Sequence, residues 1–312
     1  MRRGDIGQVP AKELRDMRGR GWLLSAGLAV LMAGLPPQMM TAAHAETNAG
    51  TSAATTADAA AMAALEESLG LDALFPVLAR EGQNYGDDLD QSMFAGKGGV
   101  RWQAIVARIY EPGRLRARFS ANLAGALSGK PQVVADAQAF FSSGTGQAIV
   151  AREVEARESL LNPDKKEAAE VAAEKLRDTR SPRLRLIRSL IEAGDLVEGN
   201  VASGLTGSAA FSEAVIATQP PEQRLPEADR MAQVWAQEGD IRASTTAWLL
   251  TFMVEAYAPL SDADLERFVA FAKSDSGRAL NQALFAAYGE TFRVVMQELG
   301  HEAGQVLLGS RI

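Results

Sequence analysis

The residues able to do chemistry are few, and none stands in a pattern that completes a site. Beyond residue 45 the chain holds one histidine, His301, in His301-Glu302-Ala303-Gly304-Gln305. A zinc-protease helix needs a second histidine where Gln305 stands, so His301 reads as an ordinary surface residue. Gly96-Lys97-Gly98-Gly99 has the look of a phosphate loop. A Walker loop needs Ser or Thr after the lysine and glycine at position 91, and the chain has Gly98 and Gln91. Asp87, Asp88 and Asp90 cluster without the glycine spacing of a calcium loop, which leaves a solvated acidic turn. Glu153, Glu155 and Glu158 lie in a helical pattern with no histidine to complete a di-metal carboxylate site. Gly-x-Ser-x-Gly and Gly-x-Gly-x-x-Gly are absent. The residues therefore predict a non-enzymatic protein with no cofactor and no metal.

What does recur is a turn. Ala139-Phe140-Phe141-Ser142-Ser143-Gly144-Thr145-Gly146-Gln147-Ala148 and Ala270-Phe271-Ala272-Lys273-Ser274-Asp275-Ser276-Gly277-Arg278-Ala279 share the pattern Phe-x-x-Ser-x-x-Gly-[Gln/Arg]-Ala, 131 residues apart. Each copy sits between two amphipathic patterns. Val133, Val134, Ala137, Phe140 and Phe141 precede the first, and Ala148, Ile149, Ala151 and Val154 follow it. Leu265, Phe268, Val269 and Phe271 precede the second, and Leu280, Leu284, Tyr288, Phe292, Val295 and Leu299 follow it. These are helix spacings. Ser143 and Ser274 then fall where a helix starts, so each hydroxyl should accept from the amide three residues on. That third residue is Gly146 or Gly277, where a capping box would place Glu or Gln. Glycine there costs roughly 1 kcal/mol against alanine, a cost that close helix approach would offset. Phe140, Ser143, Gly146, Phe271, Ser274 and Gly277 are thus structural-motif positions. The competing reading is an anion held at the free amides of the helix start, with Arg278 assisting.

On this motif, and on the helix start Leu260-Ser261-Asp262-Ala263-Asp264, the chain resembles a family of bacterial secreted proteins known as domain of unknown function 2059. The corresponding start before the first copy, Leu127-Ser128-Gly129-Lys130-Pro131, lacks the acidic residues, so the second copy is the better match. The resemblance implies small helical domains in a secreted protein. It brings no active site.

The elements that must position these turns can be read in order. Residues 1–45 have the form of a secretory signal, with six basic residues, an apolar run over 22–35 and Ala43-His44-Ala45 before Glu46. Cleavage after Ala45 would place the chain in the periplasm with no integral membrane span. The run of 14 is short for a span of about 20. Residues 46–58 are small and polar and read as a flexible leader, with Asp58 as a helix cap. A first helical repeat is predicted over 59–162, a charged connector helix over 163–180 and a second repeat over 181–312. The fold class is all-α, two tandem homologous bundles of about five to six helices each. Residues 186–197 parallel 64–75 at an offset of 122. Within the repeats, Pro76 falls in the first turn of a helix or kinks it. Residues 247–257 form the most apolar helix. Residues 84–100 are expected to be the most mobile part.

Composition bounds the partners. Residues 1–45 carry six of the 32 basic and three of the 39 acidic residues, leaving 26 against 36, a net charge of −10. Such a surface argues against nucleic acid. With no cysteine there are no disulfides and no lipid-bearing cysteine. What remains is a binding or scaffolding role in the cell envelope toward an unknown protein. The alternative is a carrier holding an apolar or lipid-like ligand in a groove between helices.

Overall fold

The computed structural model describes residues 51–309, with side chains from residue 58. The signal-like segment lies outside the described residues. Among the described residues the chain is all α, apart from one 3-10 turn at Pro221–Gln223. The N-terminal half comprises α1 (Thr51–Ser68), α2 (Leu71–Phe94), α3 (Gly99–Ile109), α4 (Pro112–Leu127), α5 (Pro131–Phe141) and α6 (Gly144–Ser159). The connector is α7 (Pro163–Arg177). The C-terminal half comprises α8 (Pro182–Ala193), α9 (Leu196–Ala217), α10 (Glu227–Trp235), α11 (Glu238–Tyr257), α12 (Asp262–Ala272) and α13 (Asp275–Gly309).

Local chemistry sets most of the helix starts. Proline occupies the first turn of α4, α5, α7 and α8, where its missing N–H has no helical partner to lose. Side chains cap the same regions. Glu111 accepts from the amides of Gly113 and Arg114, Asn162 from Asp164 and Lys165, Ser181 from Leu184, and Ser261 from Asp264. The α1–α2 and α8–α9 turns each pass through one left-handed residue, Gly70 (φ 65°) and Asp195 (φ 43°). These two residues stand 125 apart, against the 122 between the apolar runs.

Several expectations are corrected. The stretch read as a flexible leader is helical from Thr51, and Asp58 lies inside α1. Pro76 is the sixth residue of an uninterrupted α2, beyond its first turn. Asp87, Asp88 and Asp90 belong to α2 as well. Asp90 is buried, and its Oδ1 accepts from the Gly98 amide at 2.7 Å, so it fastens the glycine loop down. Residues 84–94, expected to be mobile, bury Tyr85, Leu89 and Phe94, and Trp102 of α3 donates to the Gly86 carbonyl at 2.7 Å. The charged residues of the connector α7 form a solvated face, while Ala169 and Ala173 are buried where the helix packs on α11. On α6 the buried face is Ile149, Val150, Glu153, Ala156 and Arg157, while Ala151 is exposed.

The halves interlock. In each, the first helix packs on the fifth, α1 on α5 and α8 on α12. Between them, the fourth helix of one half packs antiparallel on the sixth helix of the other. The α4–α13 contact runs from Arg114 and Arg118 on Glu298 to Asn122 bonded to Thr291, and Arg108 of α3 pairs with Glu302 beyond it. The α6–α11 contact runs from Glu153–Tyr257 to Arg157 beside Phe252 and Trp248. One cluster of buried residues therefore extends through both halves, from Leu65 to Ala303. Within the C-terminal half, α9 and α13 run parallel and close. A methyl on Gly300 would strike the Phe211 carbonyl, and one on Gly304 would strike Thr218. Glycine at these positions is what lets the two backbones approach.

Candidate functional site

The six motif residues come together at one place, the seam where the α5–α6 turn meets the α12–α13 turn. Each serine does the same two things. Ser143 Oγ donates to the Phe140 carbonyl at 2.6 Å and accepts from the Gly146 amide at 3.1 Å. Ser274 Oγ donates to the Phe271 carbonyl at 2.6 Å and accepts from the Gly277 amide at 3.0 Å. One hydroxyl thus closes the C-terminus of one helix and opens the next. The glycines follow from this tightness. A Cβ on Gly146 would overlap the carbonyl oxygen of Phe140, and one on Gly277 that of Phe271. The obstacle is the end of the preceding helix rather than a more distant one.

The phenylalanines of the two copies stack on each other, ring centroids 4.3 Å apart and planes 6° from parallel. Phe268 extends the stack on Phe140, and Phe141 stands edge-on to Phe271. Hydroxyls then tie each turn to the other half. Thr145 Oγ1 donates to Asp264 Oδ1 at 2.8 Å, and Ser276 Oγ donates to Asp136 Oδ2. Arg267 reaches both Thr145 and Asp264, at 2.8 and 2.6 Å. The hydrogen bonds from Ser261 and Thr145, aided by Arg267, hold the Asp264 carboxyl below the usual range. The surface here is a shallow depression of about 660 Å³, lined by Ala139, Phe140, Ala270 and Phe271 with Thr145 and Arg267 at its edge. Both rings are half-buried, so one edge of the stack faces solvent.

The anion reading of the motif loses its donors. The Gly146 and Gly277 amides are taken by the serines, and the Gln147 side chain is spent on the carbonyls of Ser68 and Phe141. Arg278 is held by Asp275 and the Lys273 carbonyl. His301 is exposed at the helix surface, as its surroundings in the sequence suggested.

Of a second group of residues the sequence singled out only Glu153, as part of an incomplete carboxylate cluster. Arg157 of α6, 2% exposed, pairs through Nη1 with Glu81 of α2, and its guanidinium lies 5.4 Å over the Trp248 ring. Glu153, one turn earlier on α6, accepts from the Tyr257 hydroxyl at 2.6 Å. All four tyrosines of the chain are buried, Tyr85, Tyr110, Tyr257 and Tyr288. Tyr110 and Tyr288 lie within electrostatic reach of Glu81, and Tyr288 also of Glu153 and Arg157. Burial pushes both glutamates up to about 7, partly offset by Arg157 and, at Glu153, by the Tyr257 hydrogen bond. The hydroxyls of Tyr110 and Tyr288 and Nη2 of Arg157 are buried with no hydrogen-bond partner. Convergent carboxylates are the raw material of acid–base chemistry. Here Glu153 is buried, and Glu81 keeps 15% of its side chain exposed. The signal was present on one helix only: Glu153 and Arg157 are spaced i, i+4 on the Ile149/Val150/Ala156 face.

No protein-family model, no curated protein and no solved structure matches the chain. Among the described residues no group of His, Asp and Glu is arranged to hold a metal ion.

Proposed function

We propose that the chain is a non-enzymatic binding protein of the cell envelope that takes an apolar segment of a partner protein at the seam between its two motif turns. The observation that carries this reading is the half-exposed Phe140–Phe271 stack at the base of the depression. It brings an aromatic anchor from each half to one surface patch, with hydrogen-bonding groups at the rim, which is the anatomy of a protein-binding hot spot. The depression is shallow. Carriers of small apolar ligands enclose most of the ligand surface, so the geometry favours a segment laid across the seam over a lipid-like cargo held inside. The periplasmic location belongs to the same proposal and is supported by the N-terminal pattern ending at Ala45. So does descent of the two halves from one unit of the domain of unknown function 2059 type, supported by the matched serine caps and the reciprocal α4–α13 and α6–α11 contacts. Among the described residues no helix is long and apolar enough to cross a membrane.

Crosslinking in envelope extract tests the seam, with the wild type and Ala270→Trp as baits. Ala270 is exposed on α12 and lines the depression, so an indole there fills it without entering the core. Adducts formed by the wild type should be lost with Ala270→Trp while the unfolding midpoint stays the same. Identical adducts from both baits would remove the seam as the site. N-terminal sequencing of the envelope form should begin at Glu46, and a chain retaining Trp22 would remove the periplasmic assignment.

A further inference from the structure

We infer that the Glu81–Arg157–Glu153–Tyr257 cluster is a proton-operated latch that clamps α6 of the N-terminal half to α11 of the C-terminal half and slackens as pH rises above neutrality. The geometry comes first. One buried cation pairs with Glu81 of α2 and lies within electrostatic reach of Glu153, one turn away on its own helix. Arg157 is locked by Glu81 on one side and by the rings of Trp248 and Phe252 on another. Glu153 bridges to the other half through Tyr257. The groups facing the cluster are Arg80, Glu81, Tyr85 and Asp88 from α2, Tyr110 from the end of α3, Tyr257 from α11 and Tyr288 from α13. Glu255 of α11 stands at the outer edge of the same contact, bonded to Ser159 at 3.1 Å. Arg80, the other nearby cation, is half-exposed and pairs with Glu158. The phenols cannot relieve the balance, because burial pushes their titration up and leaves them neutral donors.

One cation and two carboxyls are neutral in total only when one carboxyl is ionised and the other keeps its proton. A charge left unbalanced in an interior is costly. Glu81 is the carboxylate, since it touches the guanidinium and its side chain is 15% exposed. Glu153, 6% exposed and bonded to a neutral phenol, holds the proton. Burial pushes the Glu153 carboxyl up to about 7, which agrees with a proton held there near neutrality. The sign follows. Glu153 binds its proton more tightly folded than unfolded, so its contribution is fully present below the unfolded value of 4.5 and is lost as pH rises through about 7. Above that, the cluster carries two negative charges against one fully buried cation, and the α6–α11 contact bears the imbalance.

Chemical denaturation of the full chain between pH 5.5 and 8.5 reads the latch. One proton bound only in the folded state lowers the folding equilibrium constant about tenfold per pH unit while that difference lasts. The wild type should show this fall from pH 5.5 to about 7 and then level off. Glu153→Gln, a permanently neutral isostere, should match the wild type at pH 5.5 and lose the fall. Tyr257→Phe should move the fall to higher pH, because the phenol's hydrogen bond favours the carboxylate. Hydrogen exchange corrected for intrinsic rate should quicken in α6 and α11 between pH 6 and 8.5 in the wild type only. Overturning results are a Glu153→Gln profile parallel to the wild type at every pH, or, should that variant not fold, a Tyr257→Phe fall at unchanged pH.

Discussion

At the residue scale the motif glycines reverse an ordinary rule. Replacing glycine in a helix by alanine usually stabilises by roughly 1 kcal/mol. At Gly146 and Gly277 the added methyl meets a carbonyl oxygen of the preceding helix, which cannot yield as a flexible side chain would. Gly277→Ala should therefore destabilise by about 1–3 kcal/mol, the usual range for overpacking. Gly144→Ala, two residues before Gly146 and facing open space, should be neutral or stabilising. Denaturant midpoints of the two variants, compared at equal m-value, check the contrast. Ser143→Ala should cost about 1 kcal/mol through the lost cap. The cap and the glycine were legible because each is an interaction between residues six or fewer apart, so spacing alone determines it. The buried Glu81–Arg157 pair was not legible, since its members lie 76 residues apart and only the packing of α2 on α6 brings them together.

At the element scale the seam is held by aromatic contact between α5 and α12. A double-mutant cycle on Phe140→Leu and Phe271→Leu should give a coupling of about 0.5–1.5 kcal/mol, the range of stacked aromatic pairs beyond area burial. A coupling near zero would mean the rings are merely neighbours. Hydrogen exchange should be slow in 247–257 and 280–299, at the buried positions of 84–94, and at the Gly96, Lys97 and Gly98 amides, which the Asp90 carbonyl, the Phe94 carbonyl and the Asp90 carboxylate accept from in turn. The all-α class and the position of both motif turns followed from periodicity and caps. The burial within 84–94 was hidden for a physical reason. Three aspartates in four residues look solvated in a linear reading, yet the helical turn directs Asp90 inward, where the Gly98 amide meets it. The docking face of the connector was not legible either, because two alanines carry no conspicuous apolar signal and still suffice to dock a helix.

At the scale of the molecule, neither half has a core of its own. Phe119 of α4 packs on Tyr288 of α13 at 4.4 Å, and Arg157 of α6 on the aromatic pair of α11. Residues 51–180 expressed alone should lack a cooperative unfolding transition, as should residues 181–309. Mixing the two should restore helicity and yield a one-to-one complex on gel filtration. A cooperative transition in either fragment alone would contradict an undivided core. The reciprocal packing also sets a clock. Asn122 and its partner Thr291 are 169 residues apart. At a synthesis rate of about 5–20 residues per second, the apolar side of α4 emerges roughly 8–35 s before the helix that covers it. During that interval α2 is already there to meet it through Phe75, but the side that α13 will cover stays open. The molecule is therefore most exposed to aggregation and proteolysis while it is being made, and any cellular factor that shields it has to bind early and let go late.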